Sequence, residues 1–271
     1  MQKNKIVILG SNGMLGNGLL YELSKYDFEV IGLTRKDLDA RDAYALQNMF
    51  IFNRPDIVIN CIGIIKQVKE DIGITSYVNA VFPHKLMIQC NRFKAKLIHF
   101  STDCIFDGKK GNYSETDQPN ADDLYGITKF IGEVDYGNSF TMRTSIIGHG
   151  NNLSLIDWFL SQRKVKGYAN VMYSGLPTVE IGKIIAKHII PNDLRGLYNI
   201  SADPISKYKL LKLVNRIYKA DIKIDQDTNE VLDRTLDSTK FRKLVGYTPP
   251  SWEHLIGRMY QYFLDFGKSK E

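Results

Sequence analysis

Apolar residues follow two alternating rhythms along this chain. Short, mostly β-branched runs bounded by Gly, Pro or Asn predict buried strands at residues 5–10 (KIVILG), 29–34 (EVIGLT), 55–63 (PDIVINCIG), 95–102 (AKLIHFST) and 139–148 (SFTMRTSIIG). Between them, apolar positions recur at helical spacing over 14–25, 43–53, 75–93 and 125–137. Pro83 interrupts the third of these and is expected to kink it. Strands that alternate with helices imply βαβ units, a parallel sheet and helices on both faces, a doubly wound α/β fold. The pattern is looser beyond residue 150. It predicts helices at 153–164, 177–190 and 206–219, the last capped by Ser206, with strands at 196–201 and 221–227. Two further helices close the chain, and the aromatic run MYQYFLDF in the second has the spacing of a core face.

Composition adds bounds. The chain has 271 residues, 44% hydrophobic and 24% charged, the balance of an ordinary globular protein. No apolar run reaches the roughly 18 residues of a membrane span, and residues 1–10 lead directly into a strand without the features of a signal peptide. A cytoplasmic protein is expected, with no membrane partner. The three cysteines, Cys61, Cys90 and Cys104, are far apart and show no metal-ligand spacing, so reduced thiols and no metal are expected. The net charge of +6 and pI of about 9.0 come from dispersed Lys and Arg. With no basic block and no nucleic-acid motif, a cleft for doubly anionic ligands accounts for that charge, as does a generally basic surface.

The first candidate site is GSNGMLG, which sets Gly10, Gly13 and Gly16 between the first strand and the first helix. A strand feeding a helix N-terminus offers free backbone N–H groups and the positive end of a helix dipole. Gly10 permits the turn, Gly13 lets backbone approach a pyrophosphate, and Gly16 lets the helix pack against the sheet. With Asn12, Met14 and Leu15 they predict a Rossmann-type dinucleotide site, although the spacing is GxxGxxG. The second strand ends LTRKD. Arg35 and Lys36 suit the 2′-phosphate of NADPH, while Asp37 keeps NADH open. Asp39 and Ala40 are placed to flank the adenine. Residues 1–150 are expected to form the dinucleotide-binding domain, with segments around 177–201 returning to it. Residues 151–271 should form mainly a smaller substrate lobe.

The second candidate is YGITK, with Tyr125 and Lys129 one turn apart on a helix. At ~4 Å and an effective dielectric of ~20, an ammonium favours the phenolate by about 4 kcal/mol, or roughly three pKa units before desolvation. Such a pair makes tyrosine a general acid or base near neutral pH.

LGSNGMLG, RPDIVINCIG, YVNAVFP, FSTDCIFDGKKGNYSE, LYGITKFIGE, MRTS and SGLPT together resemble the extended short-chain dehydrogenases/reductases. Within them the chain is most similar to the dTDP-4-dehydrorhamnose reductase-like sugar-nucleotide 4-ketoreductases. The resemblance implies NADPH-dependent reduction of the 4-keto group of a nucleoside-diphosphate 4-keto-6-deoxyhexose, within deoxysugar and cell-surface polysaccharide synthesis. It implies that Thr102 hydrogen-bonds the substrate carbonyl, that Tyr125 protonates it, and that Lys129 holds the nicotinamide ribose. Asn79 would brace this group, and Cys61, Ile62 and Gly63 would line the cofactor. Asp103, Cys104 and Pro177 would lie beside the sugar. Competing readings are a strand-end cap for Thr102, backbone bonding for Asn79, and a structural salt bridge for Arg143. The family includes monomers and homodimers, so a homodimer stays open.

Two positions depart from the family pattern. Cys104 replaces a tyrosine and Ile146 a tryptophan, which leaves the hexose open. Cys104 aligns with the cysteine of an epimerase–reductase, so a bifunctional enzyme with His149 as its partner is one alternative; a small buried Cys104 is the plain one. A non-catalytic NAD(P)-binding sensor is the other class to weigh.

Overall fold

The structure is a computed structural model and describes residues 3–150 and 154–268. It opens with β1 (Lys5–Leu9), α1 (Met14–Leu23), β2 (Glu29–Leu33), α2 (Ala43–Asn53) and β3 (Ile57–Asn60). Asp42 caps α2 by accepting from the N–H groups of Tyr44 and Ala45. A continuous helical stretch follows: α3 (Ile72–Ser76), a wide π-helical turn at Tyr77–Val81, and α4 (Phe82–Phe93). Pro83 sits in the first turn of α4, where its missing N–H costs least. The interruption expected at this proline takes the form of the wide turn before it.

β4 (Lys96–Ser101), α5 (Leu124–Ile131) and β5 (Ser139–Arg143) complete the first run. Beyond them lie β6 (Ile146–Ile147), α6 (Leu155–Leu160), β7 (Lys164–Tyr173), β8 (Leu176–Pro177), α7 (Thr178–Ile184) with a second π-helical turn at Ile185–Ile189, and β9 (Gly196–Asn199). The chain ends with β10 (Ile205–Ser206), α8 (Lys207–Tyr218), β11 (Lys223–Asp233), α9 (Thr239–Val245) and α10 (Trp252–Lys268).

The main sheet has the order β2-β1-β3-β4-β5-β9, and every pairing is parallel. β3 and β4 are buried along their whole length, as strands covered on both faces must be. One core packs α1, α7 and α9 against the sheet, and another packs α2 and α4 on the opposite face. Chain order reverses between β1 and β3, and in such sheets ligands bind outside the carboxyl ends of the strands at that reversal. The ends of these two strands lead into Gly10 and Cys61.

A second sheet, β10-β7-β11, and a third core of α6, α8 and α10 form the other side. The β7 strand was not expected. Val165, Gly167, Val171 and Tyr173 alternate inward, but Gly167 and Ala169 put little apolar side chain on that face while Tyr168 and Met172 stand on the other, which blurs the pattern in the sequence. Gly167 is required because the Tyr208 ring leaves no room for a Cβ. Other boundaries also moved. The 125–137 helix stops at Ile131, the 139–148 strand splits at Thr144–Ser145, and the 221–227 strand extends to Asp233. Of the predicted 153–164 helix, Leu153 lies outside the described residues and α6 forms the rest only to Leu160. No helix among the described residues is long and apolar enough to cross a membrane.

Candidate active site

Gly10 has φ +74°, a backbone state that favours glycine, and its N–H donates to Leu33 O. The approach of α1 to this turn is tighter still. A Cβ on Gly16 would lie 2.3 Å from Gly10 O. Gly13 occupies the N-cap of α1 in an extended conformation with no side-chain cap. The first-turn N–H groups therefore have no acceptor from a capping side chain and are free for an anion. The side chain of Leu15 turns into the core, which leaves its backbone as the ligand-facing part, and Met14 packs against Gly148 and Gly150.

Gly10, Asn12, Gly13, Arg35, Asp39, Ala40, Cys61, Ile62 and Gly63 line one cleft of about 280 Å³. The sequence reading missed Leu38, Arg41, Ile64, Val68, Glu70, Ile74 and Val78, which complete its walls. Arg41 matters most. Its side chain donates to both Asp39 carboxylate oxygens at 3.0 and 2.8 Å, its backbone N–H adds a third bond, and Arg35 Nε stands 3.4 Å away. Arg41, followed by Arg35, holds the Asp39 carboxyl well below the usual carboxylate range. Asp37 accepts from the Thr34 N–H and hydroxyl and closes the strand-end turn, while Lys36 is exposed.

The Thr102 turn, at the end of β4, is the second part of the site. The Thr102 hydroxyl accepts from Cys104 N at 3.1 Å and donates to Asp103 Oδ1 at 3.2 Å. It thus caps the turn, as the competing reading had it, while remaining next to Tyr125. Glycines bring α5 against this turn. A Cβ on Gly126 would lie 2.4 Å from Cys104 O, and one on Gly132 would collide with Asn79 O. Neither glycine stood out in the sequence. The contact at Gly126 places Tyr125 beside Thr102. Burial raises the pKa of the phenol and the Cys104 thiol raises it further, while the Thr102 side chain, its hydrogen-bonding neighbour, draws it back down.

Lys129 is 7% exposed, and its Nζ donates to Phe100 O at 2.6 Å. Burial lowers its pKa to about 8 against the opposing pull of Glu133 and Cys61. The principal groups acting on Tyr125 are burial, Cys104, Thr102, Asp103 and Asp123. The depressed tyrosine pKa expected from YxxxK is therefore reversed. The ammonium is held at Phe100 O beside Cys61, and burial dominates at the phenol.

Asn79 adopts the backbone-bonding alternative. Its Oδ1 accepts from Ile64 N and its Nδ2 donates to Ile64 O, both at 2.9 Å, which fixes the wall after Gly63. Asn60 supports the same loop, accepting from Ile62 N and pairing with the buried ring of His99. Arg143 makes a buried bidentate pair with Glu133, 2.7 Å for each bond, and so has a structural role. Pro177 is buried in the pairing of β8 with β6 and opens α7. Its place is in the framework on the α1 side.

The full path of the chain agrees with a known group of proteins. The RmlD substrate binding domain model matches residues 4–264. The chain belongs to this family. Among its relatives, Spore coat polysaccharide biosynthesis protein SpsK of Bacillus subtilis is 26% identical over 75% of this chain and 75% of its own length. A dTDP-4-dehydrorhamnose reductase of Mycobacterium tuberculosis is 31% identical over 49% of this chain and 45% of its own. A solved dTDP-4-dehydrorhamnose reductase of Bacillus anthracis, in complex with NADP, shares the fold with a TM-score of 0.86 and 23% identity, over 96% of this chain and 100% of that one.

Cys104, where the family pattern has tyrosine, carries a thiol whose pKa burial and Asp103 push up to about 12. Its expected partner, His149, is engaged elsewhere: Nδ1 pairs with Asp157 at 2.7 Å and Nε2 with Tyr218 at 2.8 Å. Sequence reasoning also passed over Arg234 and Tyr173. Arg234 Nε donates to Phe106 O at 2.7 Å, and its Nη1 lies 4.0 Å from Cys104 Sγ. Both residues come from strand ends remote in sequence, and no motif marked them.

Proposed function

We propose that this chain uses NADPH to reduce the 4-keto group of a nucleoside-diphosphate 4-keto-6-deoxyhexose. One observation carries the reading. The Thr102 hydroxyl and the Tyr125 phenol are neighbours, and Lys129 reaches the Cys61 end of a cleft that begins at the glycine turn. Membership of the RmlD family and the reductase names of several relatives point the same way.

The residues fit a phosphorylated dinucleotide. Gly10, Gly13 and Gly16 remove the side chains that would fill the turn, and the uncapped start of α1 suits a pyrophosphate. Arg35 and Arg41 suit a 2′-phosphate. Asp39, which would take ribose hydroxyls in an NADH site, already has its oxygens engaged by Arg41, so NADPH is favoured over NADH.

Bound NADPH supplies the hydride. The remaining work falls to the chain. Thr102 turns its hydroxyl from Asp103 towards the substrate carbonyl and donates a hydrogen bond to it. Tyr125, kept protonated by burial, transfers its proton to the same oxygen as negative charge develops there. Lys129 donates to the nicotinamide ribose. In this reading residues 1–150, with α7 and β9, form the cofactor half, while β7, β11, α8 and α10 build the substrate half. Epimerisation through Cys104 lacks support, because the thiol stays protonated near neutral pH and His149 serves another cluster. A binding-only sensor has no need of Thr102, Tyr125 and Lys129 together.

Tyr125→Phe tests the reading. NADPH oxidation with keto-sugar nucleotides should fall about 10²–10⁴-fold, while NADPH affinity, followed by fluorescence titration, stays within about twofold. Turnover that survives in the variant removes Tyr125 as the acid.

A further inference from the structure

Strands β7 and β11 run parallel, and Met172 opposite Asp233 is their last registered pair. Tyr173 and Arg234 come next on the two strands and meet the Thr102 turn from the other lobe. The Tyr173 side chain is 7% exposed, and its hydroxyl is buried beside the Ser145 side chain without closing a well-formed hydrogen bond. Both Asp103 and Cys104 act on it electrostatically. Arg234 is tethered through Nε to Phe106 O, and its Nη1 edge faces Cys104 Sγ at 4.0 Å. Asp103 feels this charge without closing an ion pair with it.

A buried hydroxyl with no well-formed hydrogen bond is costly to leave unmatched, and the half-buried Arg234 guanidinium keeps an outer edge whose one side-chain neighbour is a thiol. Both groups point at one place. Cys104 N is bonded to Thr102 Oγ1, so Arg234 stands a single residue from the hydroxyl assigned to the reacting carbonyl. That separation suits the same hexose ring better than a diphosphate beyond it.

Resting on the reductase reading above, we propose that Arg234, backed by Tyr173, recognises the hexose. The guanidinium edge donates to an oxygen substituent on the sugar ring beside the reacting carbonyl, and the phenol completes the polar wall. Arg234 is then a residue that determines which hexose is accepted. The guanidinium favours a ring carrying an acceptor oxygen at that position over one with hydrogen there.

The test compares wild type with Arg234→Gln and Tyr173→Phe. The measurements are KM and kcat with a panel of dTDP-, UDP- and GDP-4-keto-6-deoxyhexoses, the Ki of the free nucleoside diphosphates, NADPH affinity and thermal unfolding. In Arg234→Gln, KM for the sugar nucleotide should rise about tenfold or more, with NADPH affinity and free-diphosphate Ki unchanged. Tyr173→Phe, which keeps the ring packing, should shift KM in the same direction by less. An unaltered KM in folded Arg234→Gln overturns the assignment. So does a free-diphosphate Ki that rises in step, because it moves Arg234 to the diphosphate. Should Arg234→Gln fail to fold, Arg234→Lys retains a donor for Phe106 O, and an unaltered KM there overturns it equally. If wild type binds the panel without turnover, the reductase reading fails and calorimetric binding decides this assignment on the same tenfold criterion. A wild type that neither binds nor reduces any of the panel overturns both.

Discussion

Lys129 shows how burial changes the chemistry of a residue whose type and spacing were plain in the sequence. Its ordinary pKa is about 10.4, and desolvation brings it to about 8. A base with a depressed folded pKa is charged below that value and neutral above it. The folded state therefore bears the full desolvation penalty below about 8, and stability recovers as pH rises from there towards the unfolded value. The charged form is the stronger donor to a ribose hydroxyl. The kcat/KM for reduction should fall as pH rises through about 8, losing one proton, with no alkaline limb from the phenol nearby because burial raises its pKa. A pH–rate profile flat from about pH 7 to 9.5 contradicts this. At this scale the sequence marked Tyr125 and Lys129 through a local motif and Thr102 through a family resemblance. It missed the direction of the tyrosine shift, because desolvation depends on everything packed around the ring.

Glycine contacts set the geometry of the elements. The Gly10–Gly13–Gly16 turn was readable because strand, turn and helix are consecutive. Gly126 and Gly132 were not, since the backbone they must accommodate belongs to Cys104 and Asn79. Gly16→Ala would drive a methyl group against Gly10 O. We expect a loss of about 1–3 kcal/mol in denaturant unfolding, together with weakened NADPH binding in fluorescence titration. Wild-type stability and affinity in the variant would show that α1 can retreat without disturbing the cleft. The β7 strand illustrates the opposite case. Its inward face includes Gly167 and Ala169 while Tyr168 and Met172 face the other way, and Gly167 has a reason only once Tyr208 of α8 is in place.

Arg258 binds the whole molecule together. From α10 it donates to Glu22 of α1 at 2.9 Å and also to Glu180 of α7. The two carboxylate side chains are only 4% and 1% exposed. Arg258→Met would leave Glu22 with Lys25 alone and Glu180 with the Tyr247 hydroxyl and Lys183 at 4.0 Å, and a loss of about 3 kcal/mol in urea unfolding is expected. A loss under about 1 kcal/mol would mean that Lys25, Lys183 and Tyr247 suffice to hold the two carboxylates.

The doubly wound sheet and the glycine turn followed from short stretches of chain, because backbone propensity and hydrophobic period act between near neighbours, and the proposed triplet of Thr102, Tyr125 and Lys129 was drawn from short motifs in the same way. The Arg41 clamp on Asp39, the seating of α5 on the Thr102 turn, the engagement of His149 with Asp157 and Tyr218, and the approach of Arg234 and Tyr173 to Cys104 emerged only in the folded molecule. All but the first join segments far apart in the chain, and the first depends on the path of the turn after β2. Packing, not sequence spacing, sets those distances, and with them the charge each group carries.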